Sequence, residues 1–228
     1  MDRKLTAALV AEGVGTCLFF VVGAGSIVLV TFAPPGPGLL GIALAHGLIL
    51  AIMVSSLGAV SGGHFNPAVT FGLWIAGKIN ARRGVMYVVA QLVGAALAGG
   101  ILRLTFPEAA WAPSHIGVPA LADGITPVTG IALEAIMTVV LLLAVFGTAV
   151  DPRGPRIGGF AIGLAIAADI LVGGPVTGAA MNPARWFGPA VASGFFDNAY
   201  VWIVGPLLGA AAAAIAYRWL FSPEAMAD

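Results

Sequence analysis

Two short strings carry the polar chemistry of this chain, and they are nearly the same string. Asn66-Pro67-Ala68-Val69-Thr70-Phe71-Gly72 returns as Asn182-Pro183-Ala184-Arg185-Trp186-Phe187-Gly188, identical at five of seven positions and offset by 116 residues. Proline suits the first position of a helix, because its missing N–H would have had no intrahelical partner. Asparagine just before it is a strong cap, and its amide also carries N–H donors. A helix start bears about half a positive charge. Two such starts placed tip to tip would oppose cations, the hydrated proton included. Donors from Asn66 and Asn182 would oblige a passing water to accept hydrogen bonds, which interrupts a proton-conducting chain. The plainer alternative, that each Asn only caps its own helix, does not explain why there are two. No bond-making chemistry competes with this reading. Ser61 and His64 lack a third orienting group, so the chain reads as no enzyme, with neither a metal site nor a cofactor implied.

Positioning these strings falls to elements that lie in lipid. Of 228 residues, 60% are hydrophobic and 9% charged, and the mean hydropathy is +1.02. Soluble domains carry roughly 25% charged residues, so a bilayer must cover most of this exterior. The formal net charge of zero gives no footprint for nucleic acid. The 32 glycines suit helices that approach closely in a membrane. The single cysteine, Cys17, excludes an internal disulfide framework. The first apolar run is too long for a cleavable signal core and holds Glu12 in its middle.

About 20 apolar residues cross a bilayer core as helix. The pattern predicts an all-α membrane protein with spans over 5–30, 38–59, 82–104, 126–149, 157–173 and 199–221. Arg3, Lys4, Lys78, Arg82, Arg83, Arg153, Arg156 and Arg218, eight of the ten basic residues, then fall on the N-terminal side, which makes both termini cytoplasmic. Segments 61–80 and 174–195 fit no span. Each holds an apolar stretch of about 10 residues, roughly 15 Å of helix, which crosses half the hydrocarbon. Irregular backbone at that depth is tolerated only inside protein or along a watery cavity, so two re-entrant half-helices are expected.

The chain is a single domain over 1–228 with two halves, about 1–104 and 126–221. Besides the doubled Asn-Pro-Ala, Gln91-Leu92-Val93-Gly94-Ala95 answers Pro206-Leu207-Leu208-Gly209-Ala210, and Glu12 with Thr16 answers Glu134 with Thr138. Three spans per half is odd, so the second copy inserts upside down and the half-helices enter from opposite sides. Glu12 and Glu134 sit within apolar spans, where ionised groups need partners. Both are expected to accept bonds from the re-entrant backbone and so hold the loops. A proton relay is the competing reading. An alternating-access transporter would also use inverted repeats, but the chain offers little that could ligate a coupling ion.

The doubled Asn-Pro-Ala, Ser61-Gly62-Gly63-His64-Phe65 before the first copy and Arg185 after the second resemble the aquaporin family across essentially the whole chain. The resemblance implies a homotetramer in a lipid bilayer, expected to be the plasma membrane, with a pore for water and small neutral solutes in each subunit. It places a selectivity ring at His46, Ile170, Ala179 and Arg185, and His64 in the inner vestibule. Strict water channels carry an aromatic ring where His46 stands and a histidine where Ile170 stands. The set here is similar to that of plant vacuolar and ammonia-permeable members, which implies neutral ammonia as a second substrate. Urea, hydrogen peroxide and glycerol are the broader alternative.

Physically, Ile170 removes a polar wall contact, Ala179 leaves room, and His46 supplies a donor or acceptor facing Arg185, unless it is bonded within the helices instead. An arginine inside a membrane is costly and marks function by default, although one near the surface can extend outward. Pro113-Ser114-His115-Ile116-Gly117-Val118 resembles the outer loop of the vacuolar group, with Ile116 interrupting the match. Carried over, His115 folds into the outer mouth against Arg185; simple solvation is the alternative. Trp186 and Ala190 stand where the glycerol branch has an acid and a base. Trp202-Ile203 mixes features of both branches. Asp169, beside Ile170, has no place in this scheme beyond bracing the outer loops.

Overall fold

A computed structural model describes residues 2–155, 157, 159–223, 225 and 226. Arg156, counted above among the cytoplasmic charges, lies outside them. Among the described residues six helices are long and apolar enough to span a membrane. They are α1 (Arg3–Phe32), α2 (Gly38–Ser61), α4 (Ala81–Thr105), α6 (Pro127–Val145, continuing as a π-turn to Val150), α7 (Phe160–Thr177) and α9 (Val201–Ala216, with a π-turn to Phe221). Between them lie α3 (Pro67–Ile75), α8 (Pro183–Ser193) and the single turn α5 (Glu108–Trp111).

The ends obey local chemistry. Asp2 caps α1 through Lys4 N, Asn80 caps α4 through Arg83 N, and Thr126 caps α6 just before Pro127. The fifth span differs from its expected 157–173. It begins at Phe160 and runs through Pro175 to Thr177, ending where Gly178 turns left-handed at φ 80°. Pro175 sits in the last turn, so the helix continues past the point where its composition changes. The half-helices are 9 and 11 residues long, about 14 and 17 Å.

Packing exchanges the two halves. In the first half α1 lies on α4, and in the second α6 lies on α9; α2 meets α7 between them. Each half-helix leans on a span of the opposite half, α3 on α9 and α8 on α4. The repeated glycines allow the close pairing within each half. A Cβ at Gly94 would collide with the carbonyl of Gly13, and one at Gly209 with that of Ala135. Those backbone atoms follow Glu12 and Glu134 directly, so the paired sequence matches meet each other in space. Outward, residues such as Val85, Leu104, Val128 and Leu208 are exposed, as lipid-facing positions should be.

Candidate functional site: two loops joined at mid-membrane

Loop 62–66 is held by Glu12, which is fully buried. Its carboxylate accepts from Ser61 Oγ at 2.6 Å, His64 N at 3.0 Å, Phe65 N at 2.8 Å and Gln91 Nε2 at 2.8 Å. Loop 178–182 is held by Glu134, also fully buried, which accepts from Thr177 Oγ1 at 2.7 Å, Ala180 N at 2.9 Å and Met181 N at 2.7 Å. Each carboxylate takes donors from backbone that no helix or strand could satisfy.

These clamps force Phe65 and Met181 into left-handed backbone, at φ 47° and 51°. Their carbonyls then face the opposite loop. Asn66 Nδ2 donates to Met181 O at 2.9 Å, and Asn182 Nδ2 donates to Phe65 O at 3.0 Å. The Oδ1 atoms are occupied by the caps, accepting from Ala68 N at 2.8 Å and Ala184 N at 2.9 Å. Pro67, Ala68, Pro183 and Ala184 are buried behind them. One hydrogen of each amide remains, and both asparagines line a cavity of about 190 Å³. Leu50, Val69, Ile162 and Ile166 give that cavity its apolar wall, with His64 and Lys78 toward the basic end.

On the other side a cavity of about 270 Å³ is lined by His46, Ile170, Gly117, Gly178 and Arg185, among others. Arg185 is 2% exposed. Its Nη1 donates to Gly117 O at 2.7 Å and its Nε to His46 Nε2 at 3.3 Å. His46 Nδ1 lies 2.9 Å from Ile42 O. A carbonyl only accepts and a guanidinium only donates, so the partners assign the proton to Nδ1 and the lone pair to Nε2. His46 thus presents an acceptor to Arg185 while its other nitrogen is bonded within α2, so both ring nitrogens are engaged. Gly23 leaves the space this ring fills, since a Cβ there would strike it. Ala179, at φ 45°, is buried beside the cavity, while Gly178 supplies the wall.

His115 also departs from expectation. Its ring stacks on Phe195 at 4.1 Å and 5°, and the loop reaches Arg185 through the Gly117 carbonyl instead. The cause is Ile116, fully buried against Ala24 and Leu102. With Ile116 anchored and both His115 and Ile116 at positive φ, the imidazole turns away. Asp169 is buried with one oxygen unpartnered among the described residues, and nothing in the structure gives it a bracing role.

Two contributors, Thr70 and Thr177, escaped the sequence reading. Thr70 accepts from Gln91 Nε2 at 3.0 Å and pairs with His64 Nδ1 at 3.0 Å. Thr177 joins Glu134 to Ala179 N, and Trp202 Nε1 donates to Thr177 O at 3.0 Å. Gln91 was visible only as part of a repeat; its glutamine, facing a proline in the second copy, was the available signal.

Two capped half-helices thus meet between two cavities. Residues 2–217 match the family described as Major intrinsic protein. The chain belongs to that family. Its members are membrane channels and not enzymes. Aquaporin TIP4-4 of Zea mays is 43% identical, covering 98% of this chain and 90% of the relative. Probable aquaporin TIP3-2 of Arabidopsis thaliana is 42% identical, covering 95% and 84%. The fold matches the X-ray structure of the aquaglyceroporin from Plasmodium falciparum with a TM-score of 0.85, covering 98% of this chain and all of that one, at 22% identity. The chain is therefore a multi-pass membrane protein of the aquaporin type. Its TIP relatives lend no support to the plasma membrane.

Proposed function

We propose that the chain conducts water passively, and neutral ammonia with it, while rejecting protons and ions. The observation that carries this reading is the reciprocal bonding of Asn66 and Asn182 between opposed helix starts, with a cavity on either side. Each amide keeps one N–H for water, and the two half-positive helix ends repel cations at the same point. Arg185 adds a fixed charge on the outer side only. Val69 holds the matching place within, where the wall stays apolar and leaves water few partners to linger on.

Ammonia follows from the outer cavity. His46 spends both nitrogens elsewhere, Ile170 is aliphatic, and Gly178 adds no side chain. A less polar solute loses less there than in a ring with free imidazole nitrogens. Pro67 and Pro183 fix the helix starts that present the amides. The unit is a homotetramer with one pore per subunit, both termini on the cytoplasmic side.

Stopped-flow light scattering on proteoliposomes tests the pore. Fast shrinkage with a low activation energy is expected; saturable, strongly temperature-dependent flux would indicate a carrier instead. For ammonia, His46→Phe with Ile170→His should cut the ammonia-driven pH change and leave water flux mostly intact. If neither flux moves, this account of the ring fails.

A further inference from the structure

A third cavity lies on the lipid-facing side, apart from anything the pore conducts. It is a groove of about 340 Å³ between α3 and the start of α4, walled by Phe71, Trp74, Ala81, Gly84, Val85 and Val88. That volume is within the range of ligand sites. The groove has a sequence cause. Half-helix α3 is only 9 residues long, and the first turns of α4 present small side chains to it. At Gly84 a Cβ would rest in ordinary contact, 3.7 Å from Thr70 Cγ2, so close packing does not demand glycine there. The space is left open.

Its depth suits one leaflet. Thr70 lies a turn from the mid-membrane Asn66, while Ala81 follows the polar loop that ends α3. About 14 Å of half-helix matches half a hydrocarbon core of about 30 Å. At the loop end the charged residues carried by α3, α4 and the loop between them are all basic, and the acid that acts on them, Asp151, sits by Lys78. Arg82 is exposed and makes no side-chain bond among the described residues. On α4 it occupies the stripe of Val85 and Val89, at i+3 and i+7, and its Cα–Cβ bond tilts toward the helix start. Arg218 donates to Ile75 O at 3.1 Å, one residue from Trp74, which is 47% exposed. No Asp or Glu occurs between Ser61 and Pro107, so neither α3 nor α4 supplies a competing anion. An apolar slot one leaflet long, opening beneath unopposed cations, complements an acyl chain under a negative headgroup.

We propose that this groove binds an anionic phospholipid of the leaflet on the basic side. One acyl chain lies between α3 and α4, the Trp74 ring sits at the interface, and the phosphate is held by Arg82 and Arg218.

The test adds phosphatidylglycerol or phosphatidylcholine to the purified full chain in detergent and follows the melting temperature. Phosphatidylglycerol should raise it saturably, and phosphatidylcholine much less. Arg82→Ala should raise the half-saturating phosphatidylglycerol concentration about fivefold. Gly84→Leu fills the groove and favours the helix; it should abolish the lipid-specific shift while water flux and the lipid-free melting temperature hold. Arg82→Glu gives a second reading should Gly84→Leu fail to fold, and should remove the preference for the anionic lipid. Equal stabilisation by both lipids overturns the proposal. So does an unchanged shift in Gly84→Leu, or the same shift from soluble glycerol 3-phosphate, which would place the effect in the cations alone.

Discussion

The two re-entrant loops are built on one plan and differ in what they expose. Both hang from a buried glutamate, both turn a carbonyl toward the other, and both end in a proline-started helix. The inner loop is the more heavily braced, because Glu12 takes a fourth donor from Gln91 where the second copy has Pro206. Its place for a fixed charge holds Val69. The outer loop gives Glu134 three donors and carries Arg185, which is tied to His46 and Gly117 instead of an acid. Duplication thus preserved the scaffold, while selection diverged at a few side chains on the outer side.

Removing the glutamates should break this pair most severely. Glu12→Ala strands a hydroxyl, two backbone N–H groups and an amide, each costing about 1–3 kcal/mol when buried unpaired. A loss of about 4 kcal/mol or more is expected. Glu134→Ala strands three donors and should cost about 3 kcal/mol. Thermal unfolding of the purified variants checks the order, and a larger loss at Glu134 would refute the claim that the inner loop is more heavily braced. Next in size, Arg185→Val copies the inner loop onto the outer. It removes the fixed charge and widens the ring, which outweighs the His46 Nε2 set free, and the flux of urea or ammonia relative to water should rise roughly tenfold, a barrier change of about 1.4 kcal/mol. Flux assays on proteoliposomes read that ratio directly.

Much of this was legible in the sequence because membrane depth restricts the options so strongly. Six apolar runs, two half-length segments and a doubled cap left one arrangement, and the structure differs mainly at the two ends of α7. The ring was harder to read. The family resemblance points to His46 and Arg185, but their bond to each other depends on the Ile42 carbonyl and on space left by Gly23. No motif encodes either. His115 was drawn toward Arg185 by its neighbours in sequence, whereas the burial of Ile116 decides where it points. Burial against Ala24 and Leu102 is a tertiary fact, and a single inserted apolar residue carries only a hint of it.

That difference can be sharpened by two histidine variants. His46→Ala removes the acceptor of Arg185 Nε and should shift the ammonia-to-water ratio several-fold as the guanidinium loosens. His115→Ala should leave the ratio unchanged, since the loop holds Arg185 through main chain. Equal effects from the two would return His115 to the selectivity ring.

The smallest effect is expected at the inner mouth, where charge is exposed instead of buried. Arg153 pairs with Asp151 through its guanidinium and backbone N–H and also reaches the Phe221 carbonyl. Those contacts hold the Asp151 carboxyl below its ordinary 3.8, to about 2. The sign follows from linkage. A carboxyl depressed in the folded state contributes stability above its unfolded value, lost as pH falls through about 2. The contact between the loop after α6 and the end of α9 is therefore already complete at neutral pH and gains nothing on further alkalinisation. Water flux titrated from about pH 5 to 8 should show no step that Asp151→Asn removes, because no proton binds Asp151 in that window. A step abolished by Asp151→Asn would mean that this exposed pair acts on the pore and that the inner mouth shares in selection after all.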